Sequence, residues 1–140
     1  MTLKDKSEKS IEAARYLSGR TDGLNNSSVH CSYYSCLQCI LHNIDSKLNL
    51  DANQQKNEYD SYVKKTAHPL GSHEYWIEKF CKHIFLTNPN EAKFVRTNTL
   101  TLKSRRQEAD YREVEFTVDK TKQFYEVAKK VLASINNLME

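Results

Sequence analysis

The sequence predicts an all-α fold, an antiparallel up-and-down bundle of four to five helices with a short extended or irregular connection before the last helix. Three observations predict it. Apolar residues recur at three- and four-residue steps over most of the chain. Only three glycines and two prolines interrupt the pattern, too few turn formers for a sandwich or barrel of many short strands. The 140 residues carry no internal repeat and no linker-like stretch, so residues 1–140 form a single domain. Surface scaling then gives a folded area of roughly 7,500 Å², with about 68% of the unfolded surface buried.

The first helix is predicted over about Lys4–Ser18, where Ile11, Ala14 and Leu17 fall at three-residue steps. Gly19 and Gly23 follow its end, and Asp22–Ser28 reads as a turn leading into a helix cap. The second helix runs from Ser28 to about Leu48, capped by Ser27 or Ser28. Its stripe of Val29, Tyr33, Cys36, Leu37, Ile40, Leu41, Ile44 and Leu48 is the widest in the chain, which makes it the central helix. Asp51–Thr66 is helix-permissive but polar, with only Tyr59, Tyr62, Val63 and Ala67 to bury, so it packs peripherally. His68-Pro69-Leu70-Gly71 ends it. A further helix starts at Ser72 or His73, its core face carrying Trp76, Ile77, Phe80, Ile84 and Phe85.

Asn88-Pro89-Asn90-Glu91 is a second stop and restart. From Glu91 to Tyr111 the pattern predicts a loop entering a helix that includes Lys103–Ala109, because Thr97–Leu102 alternates in part like a strand. Arg112–Val118 reads as an extended connection that lays Val114, Phe116 and Val118 on the bundle. The last helix carries Phe124, Val127, Val131, Ile135 and Leu138, with Asp119 near its positive end and Lys129 and Lys130 farther along.

Composition narrows the function classes. With 39% hydrophobic residues, including five Phe, eight Tyr and one Trp, the chain has enough to bury, and disorder is excluded. No apolar run approaches the ~18 residues of a membrane span. The first residues, Met1–Lys9, lack the apolar core of a signal peptide, so a cytoplasmic protein with reduced thiols is expected. The formal net charge of +3 is too weak to imply nucleic-acid binding. The stretch Lys93–Arg106, however, holds five basic residues and no acid, a local charge of +5.

Chemistry-bearing motifs are few. Cys36-Leu37-Gln38-Cys39 has zinc-like spacing but sits inside an apolar helical stripe, and core packing is the expected role. No metal and no cofactor are expected. No P-loop, Rossmann glycine motif, HExxH or GxSxG is present. His30, His42, His68, His73 and His83 have no spacing that brings them together, and surface or helix-end roles are expected.

The informative stretch is Lys103–Arg112. Guanidinium groups here suit phosphate, because they present several rigid donors. On a helix Arg106 and Asp110 share a face and can pair, leaving Arg105 for a partner. From its residues alone the stretch reads first as an exposed network of salt bridges, next as an anion or RNA contact, and last as a catalytic site, for which Arg106, Tyr111 and Asp110 are the candidates. Lys103, Arg105, Arg106 and Arg112 are the candidate phosphate or RNA contacts, and Tyr34, Arg106 and Tyr111 the candidate interface.

Three of these segments, in this order, resemble a HEPN domain: Ile11–Leu17, Ser32-Tyr33-Tyr34-Ser35-Cys36, and Arg106-Gln107-Glu108-Ala109-Asp110-Tyr111, followed at once by the Val118–Leu138 helix. The resemblance covers about Lys4–Leu138. It implies a helical bundle that dimerises with its arginine motif near the two-fold axis. Several HEPN proteins are metal-independent ribonucleases; others are inactive partners of small nucleotidyltransferases in toxin–antitoxin and defence systems. The active pattern places a His after the Arg with four to six residues between them. Here Tyr111, Arg112 and Glu113 stand at those positions from Arg106, and Asp110, Tyr111 and Arg112 from Arg105.

Tyrosine titrates near 10 and histidine near 6.5, so Tyr111 is a poor proton acceptor at neutral pH. The resemblance therefore implies a noncatalytic or atypical HEPN-like interaction protein, a homodimer acting with a nucleotidyltransferase or with RNA. Two alternatives stand beside it: a metal-independent endoribonuclease using Arg106 at a dimer interface, and a nucleic-acid-binding helical domain without turnover.

Overall fold

The computed structural model describes residues 1–20 and 23–139. Six helices occupy 82% of them and no strand occurs among the described residues, so the fold is an all-α bundle. The helices are α1 (Leu3–Ser18), α2 (Asn25–Leu48), α3 (Ala52–Lys65), α4 (Ser72–Phe85), α5 (Pro89–Tyr111) and α6 (Val118–Leu138). Six replace the expected four to five because the polar stretch after Asp51 and the stretch from Glu91 to Tyr111 each form a full helix.

Their directions follow from which residues meet. Ser7 donates to the Ser35 carbonyl at 2.7 Å and Ser28 to the Ala14 carbonyl at 2.8 Å, which runs α1 against α2. His30 meets Asp110 and Asn26 meets Ala109, while Arg106 lies over Tyr33, so α5 opposes α2. Cys36 faces Ala128 and Cys39 faces Asn136, so α6 runs with α2. Glu78–Arg96 sets α4 against α5, and Glu58–Lys79 sets α3 against α4. Successive helices alternate in direction, as short connections require.

α2 is the centre, as its wide stripe predicts. Val29, Tyr33, Cys36, Ile40 and Ile44 are fully enclosed, the last four in one cluster with Ile77, Phe80 and Ile84 of α4, Val95 and Leu102 of α5, and Val131 and Ile135 of α6. Burying each such side chain contributes about 1.5–3 kcal/mol. α3 is the outlier. Gln55 is its only buried residue, and it is tied on by Tyr59 and Tyr62, which stack near Tyr75, and by Glu58. The accessible surface, 8,253 Å², exceeds the scaling value, as a bundle with a helix lying along its flank should.

Several boundaries correct the sequence reading. α2 begins at Asn25, three residues early and without a side-chain cap. Ser28 does not cap it, because its hydroxyl is spent on α1. Asp22 lies outside the described residues, while Gly23 adopts φ +84°, the left-handed backbone that a residue without Cβ reaches freely. α5 is one continuous helix over the predicted loop: Asn88 caps it, Pro89 occupies its first turn, and Thr99 is wholly buried on its inner face. Phe85 leaves the core and is half exposed, because it follows Ile84 by a 100° step around α4.

The connection from Arg112 to Thr117 is irregular, as expected. Phe116 packs edge-on against Phe124 with ring centres 5.3 Å apart, whereas Val114 is less well covered, at 37% exposed. Asn25 and Asn26 hold it. Asn26 donates to the Val114 carbonyl at 2.6 Å and accepts from the Phe116 amide at 3.1 Å, and Asn25 donates to the Phe116 carbonyl at 3.0 Å.

Candidate functional site

Arg106 is the focus of one end of the bundle. On α2, His30, Tyr33 and Tyr34 share a face by their three- and four-residue spacing. On α5, Lys103, Arg106 and Asp110 do the same. Antiparallel packing of the two helices sets 33 beside 106 and 30 beside 110, and the first turn of α4 brings in His73.

The Arg106 side chain is enclosed, 9% exposed, among three tyrosine rings. Its guanidinium carbon lies 5.4 Å from the Tyr33 ring centre, 5.3 Å from Tyr34 and 5.9 Å from Tyr111. Each such cation–π contact contributes about 0.5–2 kcal/mol, increasing with desolvation. The in-plane donors are poorly used. Nη1 reaches Asp110 Oδ2 at 3.4 Å, and Nε is buried with no partner among the described residues. A buried cation left so under-paired costs free energy that the ring faces must offset.

Asp110 Oδ2 is shared. His30 Nδ1 lies 3.0 Å from it and, facing a carboxylate that can only accept, is the donor. His30 also packs on Tyr34 at 4.5 Å between ring centres, and Tyr34 meets His73 edge-on at 5.9 Å. His73 Nδ1 shares a hydrogen bond with the Tyr33 hydroxyl at 3.0 Å. Burial, and then the charges of Arg106 and Lys103, hold the His73 imidazole below its usual value near 6.5. Burial likewise raises the Tyr33 phenol well above its usual value, against the pull of Arg106, so its hydroxyl keeps its proton.

The predicted site residues fare unequally. Arg106 and Asp110 pair as expected. Arg105 is not left for a partner: Glu108 takes its Nη1 at 2.7 and 2.9 Å. Tyr111 forms the outer wall of the cage yet is 78% exposed. Lys103 is half buried and Arg112 exposed, neither in an ion pair among the described residues. Tyr34 is half buried and turned inward against Arg106 and both histidines.

The basic run from Lys93 is largely neutralised, with Arg96 on Glu78, Arg105 on Glu108 and Arg106 on Asp110. Net charge in sequence hid this, because two of the acids follow the run and the third comes from another helix. Cys36 and Cys39 are core residues, with thiols pushed up to about 12 and about 11 by burial.

No family model, curated protein or solved structure matches the chain. The site must therefore speak through its own geometry.

Sequence reasoning missed His30, His73 and the site role of Tyr33. His30-x-x-Tyr33-Tyr34 carried a signal, one helical face aimed at the same neighbour. His73 carried none, since only tertiary packing of α4 brings it here. Chemically the corner offers a fixed guanidinium with unspent donors, a neutral imidazole, and a second imidazole on a carboxylate. That set can bind a phosphate and exchange protons beside it. A separate cavity of about 640 Å³ lies toward the other end of α2, lined by Ser7, Ile11, Cys39, His42, Asn43 and Leu132 among others.

Proposed function

We propose that this protein is a HEPN-like interaction protein that engages RNA by its phosphate backbone at the Arg106 corner. The observation that carries the reading is a buried guanidinium held by tyrosine faces while its Nε and Nη1 donors are left without a close partner. Rings fix the group; an anion can use its fork. The order of the segments that resemble HEPN domains supports the same reading. With that resemblance come the further parts of the proposal: a homodimer, and a nucleotidyltransferase or other toxin–antitoxin or defence component as partner; a cytoplasmic location is proposed from the N-terminal sequence instead.

Titrating short single-stranded RNA into the full chain tests it. Arg106→Ala should weaken binding roughly ten- to hundredfold, the loss of a charge-assisted contact. Arg106→Lys, which keeps the charge without the fork, should fall between. Equal affinity for all three proteins would sink the reading, and a monomer by light scattering across protein concentration would remove its dimeric part.

A second reading, metal-independent endoribonuclease, is favoured by one observation. The proton acceptor missing from the stretch after Arg106 is present in space, since His73 stands against Tyr33 and Tyr34 in the same cage. Cleavage of RNA in the presence of chelator, lost in Arg106→Ala and in His73→Gln, would establish turnover. The reading that relies on the whole basic run as a nucleic-acid surface gains least, because most of that run is paired.

A further inference from the structure

We infer that Asp110 is the resident anion of the Arg106 site, a specificity-determining carboxylate that an incoming phosphate displaces and that His30 draws aside. The inference rests on the RNA-phosphate reading above and adds what decides which anions enter.

Three observations carry it. First, the Arg106–Asp110 contact is slack. At 3.4 Å it is the longest arginine–carboxylate contact among the described residues, against 2.7 Å for both Arg96–Glu78 and Arg105–Glu108 and 3.0 Å for Arg15–Glu12. Charge-assisted bonds of this kind settle at about 2.7–2.9 Å when unopposed. Second, the opposing group is on view: the same Oδ2 lies closer to His30, at 3.0 Å. The carboxylate thus has a second cationic or polar host to move toward. Third, Arg106 does not need Asp110 to stay in place. Tyr33, Tyr34 and Tyr111 surround it, and ring faces do not consume its in-plane N–H donors.

Asp110 is also the more exposed member of the pair. Its side chain is 23% exposed against 9% for Arg106, and it sits one residue from the end of α5, where the helix gives way to the irregular connection. The charged and titratable groups around the pair are His30, Tyr33 and Tyr34 from α2, His73 from α4, and Lys103, Arg106 and Tyr111 from α5. Asp110 is the acid in contact with Arg106; Glu74, in the first turn of α4, is a further acid at this corner, its charge reaching Tyr33. A ligand must therefore compete with a single carboxylate for a fixed guanidinium. Phosphate oxygens, with charge spread over a group that can accept two parallel N–H bonds, compete well; a lone chloride or a singly bonded carboxylate does not.

The test measures binding of one fluorescein-labelled single-stranded RNA to the full chain at fixed ionic strength, with folding checked by circular dichroism. Asp110→Asn keeps the shape and removes the charge, and should tighten binding about two- to fivefold, the worth of a partly exposed ion pair. His30→Ala should weaken it by a similar factor, because Asp110 then falls back on Arg106. In the double variant the His30 effect should vanish, since His30 acts through Asp110. Unchanged or weaker binding by a folded Asp110→Asn overturns the inference and makes Asp110 a positioning residue for Arg106. Should that variant not fold, unchanged or tighter binding by His30→Ala overturns it alone. Equal binding by wild type and Arg106→Ala is a different failure, that of the RNA reading itself.

Discussion

Arg106 owes its position to aromatic faces more than to its carboxylate, and His73 shows what that cation does to its surroundings. Burial and the positive charges of Arg106 and Lys103 all disfavour the imidazolium, so the folded His73 gives up its proton at a lower pH than the unfolded chain does. Below about 6.5 the unfolded state then binds more protons than the folded one. Stability should accordingly fall as pH drops from about 6.5 through the folded value, and be fully present above 6.5. Urea unfolding between pH 7.5 and 5 should show that slope, and His73→Gln should flatten it. A slope unchanged in the variant would assign the effect to other groups.

Elements are decided here by side chains that act outside their own helix. The start of α2 carries no side-chain cap, and Asn25 and Asn26 in its first turn spend their amides instead on the connection before α6. Asn26→Ala removes the donor to Val114 and the acceptor for Phe116 together. It should cost about 1–2 kcal/mol in chemical denaturation, whereas exposed Asn53→Ala, early in α3, should stay within ±0.5. The same change should raise amide exchange from Glu113 to Thr117 ahead of the rest of the chain.

α5 teaches the converse lesson. Its Thr97–Leu102 stretch alternates like a strand, yet Asn88 and Pro89 start a helix before it, and the alternating residues follow that start. Thr101 returns its hydroxyl to the Thr97 carbonyl, and Asn98 its amide to Phe94, so these two polar side chains are satisfied within the helix, whereas the buried Thr99 hydroxyl has no partner among the described residues.

At the scale of the molecule, the bundle separates a polar, aromatic corner at the start of α2 from a dry centre. The cysteines report on that centre. Burial pushes Cys36, Cys39 and Cys81 up to about 12, 11 and 12, leaving little thiolate, while Cys31 is only half enclosed. With a thiol reagent at pH 8 the native protein should label at Cys31 first, the other three reacting only on the timescale of unfolding. Fast labelling of Cys36 or Cys39 would contradict the packing of α2 against α6.

Helices α1, α2, α4 and α6 were legible because a repeating apolar face is a local property, readable from spacing of side chains along one segment. So was the marginal place of α3, which has almost nothing to bury. The candidate Arg106–Asp110 pair was legible for the same reason, four residues being one helical turn. The Arg105–Glu108 pair, three residues apart on α5, was equally local although it went unread. Tertiary structure alone decided that Arg96 meets Glu78, that α5 is unbroken, and that His30 and His73 stand beside Arg106. Those outcomes depend on which helix faces which, a choice made by the fit of whole apolar surfaces. A histidine 33 residues before an arginine leaves no mark of that fit in the chain between them.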